Sequence, residues 1–385
     1  MKNNRILYVS SSIIPSYNAN SIHVIYQCHA LAKLSLIIDL VASTEKKKYM
    51  TNEVKILDQH YGLNLENINL RLLKLPFNRG INFLIAIYAS LLKIKSHYDF
   101  VYSRNLYASF FIGFLLRTNV YYEIHEIESG VRGLFQKITF KSKKVTPIVI
   151  SRSLQDDILK KFVSSKKVYV LPDAASNFNN QFSFEEINDF KNKILPQHTN
   201  YTSIIGYIGS IHKGRGIELI EKLAERNNHL LFFIVGGDKN FAHSKNKNKK
   251  IKNIFYLSQV KYVEARKMML IADILLMPYQ KKVSIGVDGH DTSSWMSPLK
   301  LFEYMASKKP IISSNLNVLC EILSHNKNSL LCNPSDINQW SLNLNLLLKD
   351  DKLRKKISNS ALRLFNKKYT WDIRAKKILN IIKND

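Results

Sequence analysis

Residues 203–225 read SIIGYIGSIHKGRGIELIEKLAE, and three kinds of local chemistry follow one another within them. Ser203 to Gly209 is short, apolar and glycine-ended, which predicts a buried strand. Gly216 to Glu225 places apolar residues at helical spacing. Between the two, Gly209, Gly214 and Gly216 permit a tight turn and close backbone approach, while Lys213 and Arg215 set two cations beside the helix start. Strand, turn and helix in this order form the repeating unit of a parallel sheet. Backbone N–H groups, a positive helix end and a guanidinium together suit a diphosphate. The spacing is not G-x-G-x-x-G, so a nicotinamide cofactor is not indicated. Taken alone, the stretch is also compatible with an ordinary basic turn.

Outward from this unit the alternation repeats. Strands are predicted at Leu231 to Val235 and Ile274 to Met277, with a helix near Glu264 to Ile271 and three helices after Asp336. Toward the N-terminus, strands are expected at Arg5 to Ser10, Ile37 to Ala42, Phe100 to Ser103, Val120 to Ile124 and Pro147 to Ile150. Helices are expected at Ser21 to Leu34 and Leu106 to Arg117. The pattern breaks between Asp173 and Thr202, an Asn-, Ser- and Phe-rich stretch that suits a connection between domains. The expectation is an α/β protein of two doubly wound domains facing a cleft, with ligands at the carboxyl ends of the strands.

A second helix start lies in DTSSWMSPLKLFEYMASKKPIISS, residues 291–314. Ser297 can cap it and Pro298 suits the first helical position, leaving the N–H groups of Leu299 and Lys300 available. Lys300 and Glu303 fall on one helical face. Two helix starts at one crevice would hold a diphosphate better than either alone, with Glu303 one turn deeper for a ribose diol. The competing reading is a surface ion pair between Lys300 and Glu303. Pro310 to Ser314 reads as a strand.

With 385 residues the chain exceeds one ordinary core, so two domains are expected. Cys28, Cys320 and Cys332 lack CxxC spacing, so neither a disulfide framework nor a cysteine zinc site is indicated. A reducing cytoplasm fits best, and MKNNRILYVSSS lacks the apolar core of a signal peptide. Its apolar runs are shorter than the ~20 residues of a membrane span. The net charge of +27 comes mostly from lysine. It points to polyanionic surroundings, an anionic membrane face or nucleic acid, unless it reflects a chain rich in lysine throughout. Lysine does not form the bidentate fork that reads bases, and no motif supports nucleic acid.

The segments SPLKLFEYMASKKPIISS, YIGSIHKGRGIELI, ADILLMPY, YEIHE, ISRSLQDDI and VYVLPDAAS, with NSIHVIYQCHALAKL, occur in order along nearly the whole chain. Together they resemble the retaining glycosyltransferases usually called family 4, bacterial enzymes of polysaccharide and lipopolysaccharide synthesis with the GT-B fold. The resemblance implies an N-terminal acceptor-binding domain (1–180), a C-terminal nucleotide-sugar-binding domain (201–365) and a final helix (366–385) packing back on the first. It implies transfer of a sugar from a nucleotide-diphosphate donor, UDP favoured over GDP, to a glycan or polyprenyl-linked hydroxyl. Glu303 matches the second glutamate of the family's E-x7-E motif at the ribose, Arg215 the basic residue at the diphosphate, and His125 a histidine near the transferred sugar. The implied donor-binding set is Gly209, Ser210, Lys213, Gly236, Pro278, Ser297, Pro298, Leu299 and Glu303, and the catalytic set is His125, Arg215, Lys300 and Asp291.

Two positions depart from that pattern: Trp295 stands where the first glutamate is usual, and Ser210 where an arginine is usual. Lys300 and Lys213 are candidates for the missing charge, and Asp291 for the missing carboxylate. Asp288, His290 and Asp291 match no metal spacing, and basic side chains with helix starts can stabilise a leaving diphosphate, so no metal or other cofactor is expected. Two alternatives remain open. One is a GT-B-fold nucleotide-sugar epimerase, for which Asp291, Glu123 and Glu126 are the carboxylates on offer. The other is a non-catalytic basic polyanion-binding protein. In VRGLFQKITFKSKK, Val131, Leu134, Phe135 and Ile138 lie at helical spacing amid Arg132, Lys137, Lys141, Lys143 and Lys144. That pattern fits an anionic membrane surface on the inner face of the plasma membrane, or else burial of the stripe against the sheet.

Overall fold

The computed structural model describes residues 4–45, 57–58, 60–74, 80–162, 166–178, 180–195, 201–248, 250–284, 286 and 291–385. They form two units, Met1–Asp173 with Trp371–Asp385, and Ala174–Thr370. In the first, apolar runs become β1 (Arg5–Ile13), β2 (Ile37–Ser43), β3 (Ile68–Leu73), β4 (Phe100–Ser103), β5 (Val120–Ile124), β6 (Val145–Val149) and β7 (Tyr169–Val170). Around them lie α1 (Ala19–Ala32), α2 (Ile81–Lys95), α3 (Leu106–Ala108), α4 (Gly130–Lys141) and α5 (Arg152–Lys161). The sheet runs β3-β2-β1-β4-β5-β6-β7, every pair parallel. Its order therefore reverses between β1 and β4, the place where such sheets take ligands. The C-terminal helix Trp371–Lys383 packs on α1 in this unit, with Arg374 buried.

The helix expected over Leu106 to Arg117 winds differently. After one α turn, Ser109–Leu115 is π-helical. Gly113 there lies so near β6 that an added Cβ would meet Val145 Cγ2 at 2.3 Å. An apolar run this short does not distinguish α from π winding.

The second unit holds β8 (Ile204–Ile208), β9 (Leu231–Val235), β10 (Ile254–Leu257), β11 (Ile274–Met277), β12 (Ile311–Ser314) and β13 (Leu330–Cys332). Its helices are α6 (Phe184–Ile194), α7 (Ile217–Arg226), α8 (Lys239–Lys247), α9 (Tyr262–Ile271), α10 (Leu299–Ala306), α11 (Asn317–Cys320), α12 (Ile337–Lys349) and α13 (Asp351–Lys368). The parallel order β10-β9-β8-β11-β12-β13 reverses between β8 and β11. Alternation along β8 sends Ile205 and Tyr207 into one core with Leu223 and Trp340, and Ile204 and Ile208 into another with Met268 and Phe302. Both faces are covered, which is why this strand reads as an unbroken apolar run. Among the described residues no helix is long and apolar enough to cross a membrane.

Candidate functional site

At the carboxyl end of β8 the chain turns through Gly209 and enters α7 at Gly216. The backbone of Gly216 is left-handed (φ +80°), and no side chain caps the helix. A Cβ on Gly216 would sit 1.9 Å from the carbonyl oxygen of Pro278, so only glycine lets this turn close against the segment after β11. A Cβ on Gly209 would lie 2.2 Å from Lys300 Nζ. The glycine therefore makes room for an ammonium group.

That ammonium is the unusual feature. Lys300 is 8% exposed and its Nζ has no hydrogen-bond partner among the described residues. It rests 3.7 Å from the ring centroid of Tyr207 and 5.3 Å from that of Tyr279. Burial, then the charge of Arg215, holds its pKa well below the usual lysine range, and Glu303 opposes the shift. Arg215 lies over the same Tyr279 ring, its guanidinium carbon 5.0 Å from the centroid, with Nε unpartnered among the described residues. Ring faces are negative and relieve part of the cost of a buried cation. The remainder is what an anionic ligand would offset.

Helix α10 begins one residue later than the sequence predicted. Pro298 is its N-cap rather than its first helical residue, and itself makes no side-chain cap. Proline there has extended backbone (ψ 125°), which displaces the start by one position. Neither Gly216 at the start of α7 nor Pro298 here makes a side-chain cap from the N-cap position. Leu299 and Lys300 open it, both buried.

Lys300 and Glu303 do not form the surface pair considered above. Glu303 is 7% exposed, accepts a hydrogen bond from the Tyr262 side chain of α9, and has Arg266 as a nearby charge. Burial nevertheless pushes its pKa up. The two charges of α10 are thus directed to different neighbours.

The other predicted residues lie as follows. Gly236 ends β9 against Gly209, where a Cβ would meet the Gly209 carbonyl oxygen at 2.0 Å. Pro278 is buried, Ser210 and Lys213 are exposed, and Trp295 is partly buried. The Lys213 carbonyl oxygen accepts from Ser284 N–H. Asp291 Oδ1 accepts from the N–H groups of Val283 and Ser293, both at 2.9 Å. Partial burial opposes its charge, but these bonds outweigh that and lower its pKa. Asp288 and His290 lie outside the described residues. Among the described residues no group of three His, Cys, Asp or Glu is placed to hold a metal ion.

In the N-terminal unit, His125 follows β5 and its Nε2 lies 2.8 Å from Glu123 Oε1 and 2.9 Å from Arg104 Nη2. One nitrogen cannot donate to Glu123 and accept from Arg104 in the same tautomer, so protonation selects the partner. Burial, then Arg104, lowers the His125 pKa, while Glu123 opposes the shift. Glu123 itself is fully buried beneath the histidine. It accepts from Arg374 Nη2 at 2.9 Å and from Tyr102. His23 Nε2 stands 3.1 Å away, off the line of a hydrogen bond. Burial disfavours the Glu123 charge, yet Arg374 and His23 hold its pKa well below the carboxylate range.

Sequence reasoning missed Tyr207, Tyr279, Tyr262, Arg266, Arg104 and Arg374. Of these, Tyr279 in MPYQ and Arg104 in YSRN each follow a strand directly, the position where ligand groups collect. The others carry no local signal.

Residues 189–363 match the family described as glycosyl transferases group 1. An uncharacterized glycosyltransferase of Methanocaldococcus jannaschii is 25% identical over 256 residues, which are 64% of this chain. The chain spans 61% of the length of that relative. Among solved structures, a glycosyltransferase from Rickettsia africae superposes with a TM-score of 0.74 at 16% identity, covering 100% of this chain and 99% of that one. Anabaena HepE in complex with UDP and glucose gives 0.70 at 13% identity, with 100% of both chains covered. WaaG, a glycosyltransferase involved in lipopolysaccharide biosynthesis, gives 0.67 at 14% identity, covering 99% of this chain and 100% of that one. At such identities the likeness establishes the fold, GT-B with two Rossmann-like domains.

Proposed function

We propose, from the match of residues 189–363 to the glycosyl transferases group 1, that this chain transfers a sugar from a nucleotide-diphosphate donor to an acceptor hydroxyl with retention of anomeric configuration. The observation that carries the proposal is the buried, unpartnered Lys300 ammonium, admitted by Gly209 and flanked by Arg215, at the point where the strand order reverses. In this reading Lys300, Arg215 and the starts of α7 and α10 receive the diphosphate, and Glu303 accepts from the ribose hydroxyls. Their cations meet the charge that develops on the leaving group. The bond from the anomeric carbon to the diphosphate oxygen breaks and that to the acceptor oxygen forms on the same face. The acceptor proton passes to the departing phosphate. The N-terminal unit supplies His125 and the seat of the acceptor, a glycan or lipid-linked alcohol of cell-surface polysaccharide synthesis. A uridine donor is favoured, as UDP is what HepE binds in its solved complexes.

The epimerase alternative needs a carboxylate free to exchange protons. Glu123 is locked to Arg374 and Asp291 Oδ1 to two backbone N–H groups, which disfavours both.

Calorimetric titration with UDP, GDP and ADP tests the donor site, and NMR of the product tests retention. Lys300→Met should weaken nucleotide binding by at least about tenfold, the loss of one charge-assisted contact, without lowering the melting temperature, because a buried cation is removed. Unchanged affinity would sink the proposal.

A further inference from the structure

We propose that the face of the N-terminal unit built from α2, the π-helical segment and α4 docks on an anionic lipid bilayer. The inference goes beyond the donor reading and does not rest on it. Along α2, Leu84, Ile87, Leu91 and Ile94 recur at intervals of three and four on the side opposite the buried Ile85, Ala86 and Ala89, and all four are exposed, Ile94 to 65%. Half of the stripe predicted on α4 likewise faces solvent: Val131 is 71% and Leu134 59% exposed, while Phe135 and Ile138 are partly buried. Leu115, 56% exposed, closes the π-helical segment between them.

These are one surface rather than three. Phe83 of α2 packs edge-on against Phe111 at 5.2 Å, Phe111 neighbours Phe110 at 5.6 Å, and Phe110 meets Phe135 of α4 at 4.9 Å. A row of rings, Phe83 exposed and Phe111, Phe110 and Phe135 partly buried, thus joins the elements. A continuous apolar face on exposed helices marks an interaction site.

The charge identifies the occupant. No aspartate or glutamate occurs in α2, the π-helical segment or α4. Lys95, Arg117, Lys137, Lys141, Lys143 and Lys144 stand exposed around the apolar residues. Aliphatic and aromatic side chains within a lysine rim match the acyl boundary and phosphate layer of an anionic membrane. A second copy meeting this face through its own same face would oppose lysine with lysine and offer no carboxylates from these three elements.

The test is sedimentation of the full chain with vesicles of phosphatidylcholine alone, or mixed with phosphatidylglycerol, at low and high salt. Two variants are compared, Ile94→Glu with Leu134→Glu, and Lys137→Gln with Lys141→Gln, Lys143→Gln and Lys144→Gln. All these positions are solvent-facing or partly so, and melting temperature and nucleotide affinity should match the parent. The expected result is binding to the anionic vesicles only, weakened by salt, with affinity reduced about a hundredfold in either variant. Failure to bind, equal binding to both vesicle types, or variants that bind like the parent would overturn the proposal. So would light scattering in which the glutamate variant dissolves an oligomer that does not bind vesicles. Binding of duplex DNA lost in the glutamine variant alone, without vesicle binding, would instead mark a polyanion surface.

Discussion

Glu303 and His125 are each held away from their ordinary protonation behaviour by burial, and each yields a test. A carboxylate hydrogen bond contributes about 1.5–3 kcal/mol, so Glu303→Gln should weaken nucleotide binding about ten- to a hundredfold in calorimetric titration. Its folded pKa lies above the unfolded one, with burial the main cause. Stability from this group is therefore present below the unfolded pKa, about 4.3, and is lost as pH rises through the folded value. Near neutral pH the variant should accordingly melt no lower than the parent. A lower melting temperature with unchanged nucleotide affinity would make Glu303 a packing residue. His125 shifts the other way. Burial and then Arg104 depress its pKa, so the neutral ring is favoured and stability falls as pH drops below about 6.5 through the folded value. An NMR titration of His125 should give a midpoint below 6.5, about the ordinary value, and Arg104→Gln should raise it. A midpoint unmoved by that substitution would mean that Arg104 does not govern the ring.

At the scale of elements, the C-terminal helix Trp371–Lys383 is tied into the N-terminal unit through the buried side chain of Arg374, with Asp372 near Lys33 at 3.7 Å at the exposed rim. Arg374 reaches Glu123 at 2.9 Å, Gln27 Oε1 at 2.6 Å and the Pro172 carbonyl at 2.9 Å. Removing Arg374 takes one of two guanidinium groups from the buried Glu123, leaving Arg104 Nε at 3.1 Å. Arg374→Met should cost about 3–5 kcal/mol in urea unfolding, and adding Glu123→Gln should recover part of it. Equal loss in single and double variants would show that the helix is held by Trp371 and its apolar neighbours instead. The element boundaries themselves were largely legible. Phe100–Ser103, Val120–Ile124, Leu231–Val235 and Ile274–Met277 coincide with the predicted strands, because central strands buried on both faces stand out as apolar runs between turns. Strands β3, β7, β10 and β13, the edge strands of the two sheets, went unread. β3 is mostly half-exposed, β7 has two residues, and β10 and β13 alternate buried with half-buried positions over four and three residues, so none carries a continuous apolar signal.

For the molecule as a whole, transfer is expected to proceed equally in EDTA and in Mg²⁺, since Lys300, Arg215 and two helix starts supply the positive charge at the proposed diphosphate seat. Activity abolished by EDTA and restored by Mg²⁺ or Mn²⁺ would assign a ligand role to the loop of Asp288, His290 and Asp291. Local pattern was enough to place the parallel alternation, the glycine turn after β8 and the helix start before Lys300, because each depends on residues adjacent in the chain. What stands opposite a side chain was not decided there. Periodicity put Lys300 and Glu303 on one face, yet only packing buried both and directed them to Tyr207 and Tyr262. It equally marked Val131 and Leu134 as a stripe without saying that it meets solvent. The Glu123 cluster gathers His23, Arg104, His125 and Arg374, and the last of these is 251 residues away in sequence. Such a group has no local signature, because it is assembled only when separate strands and the C-terminal helix pack together.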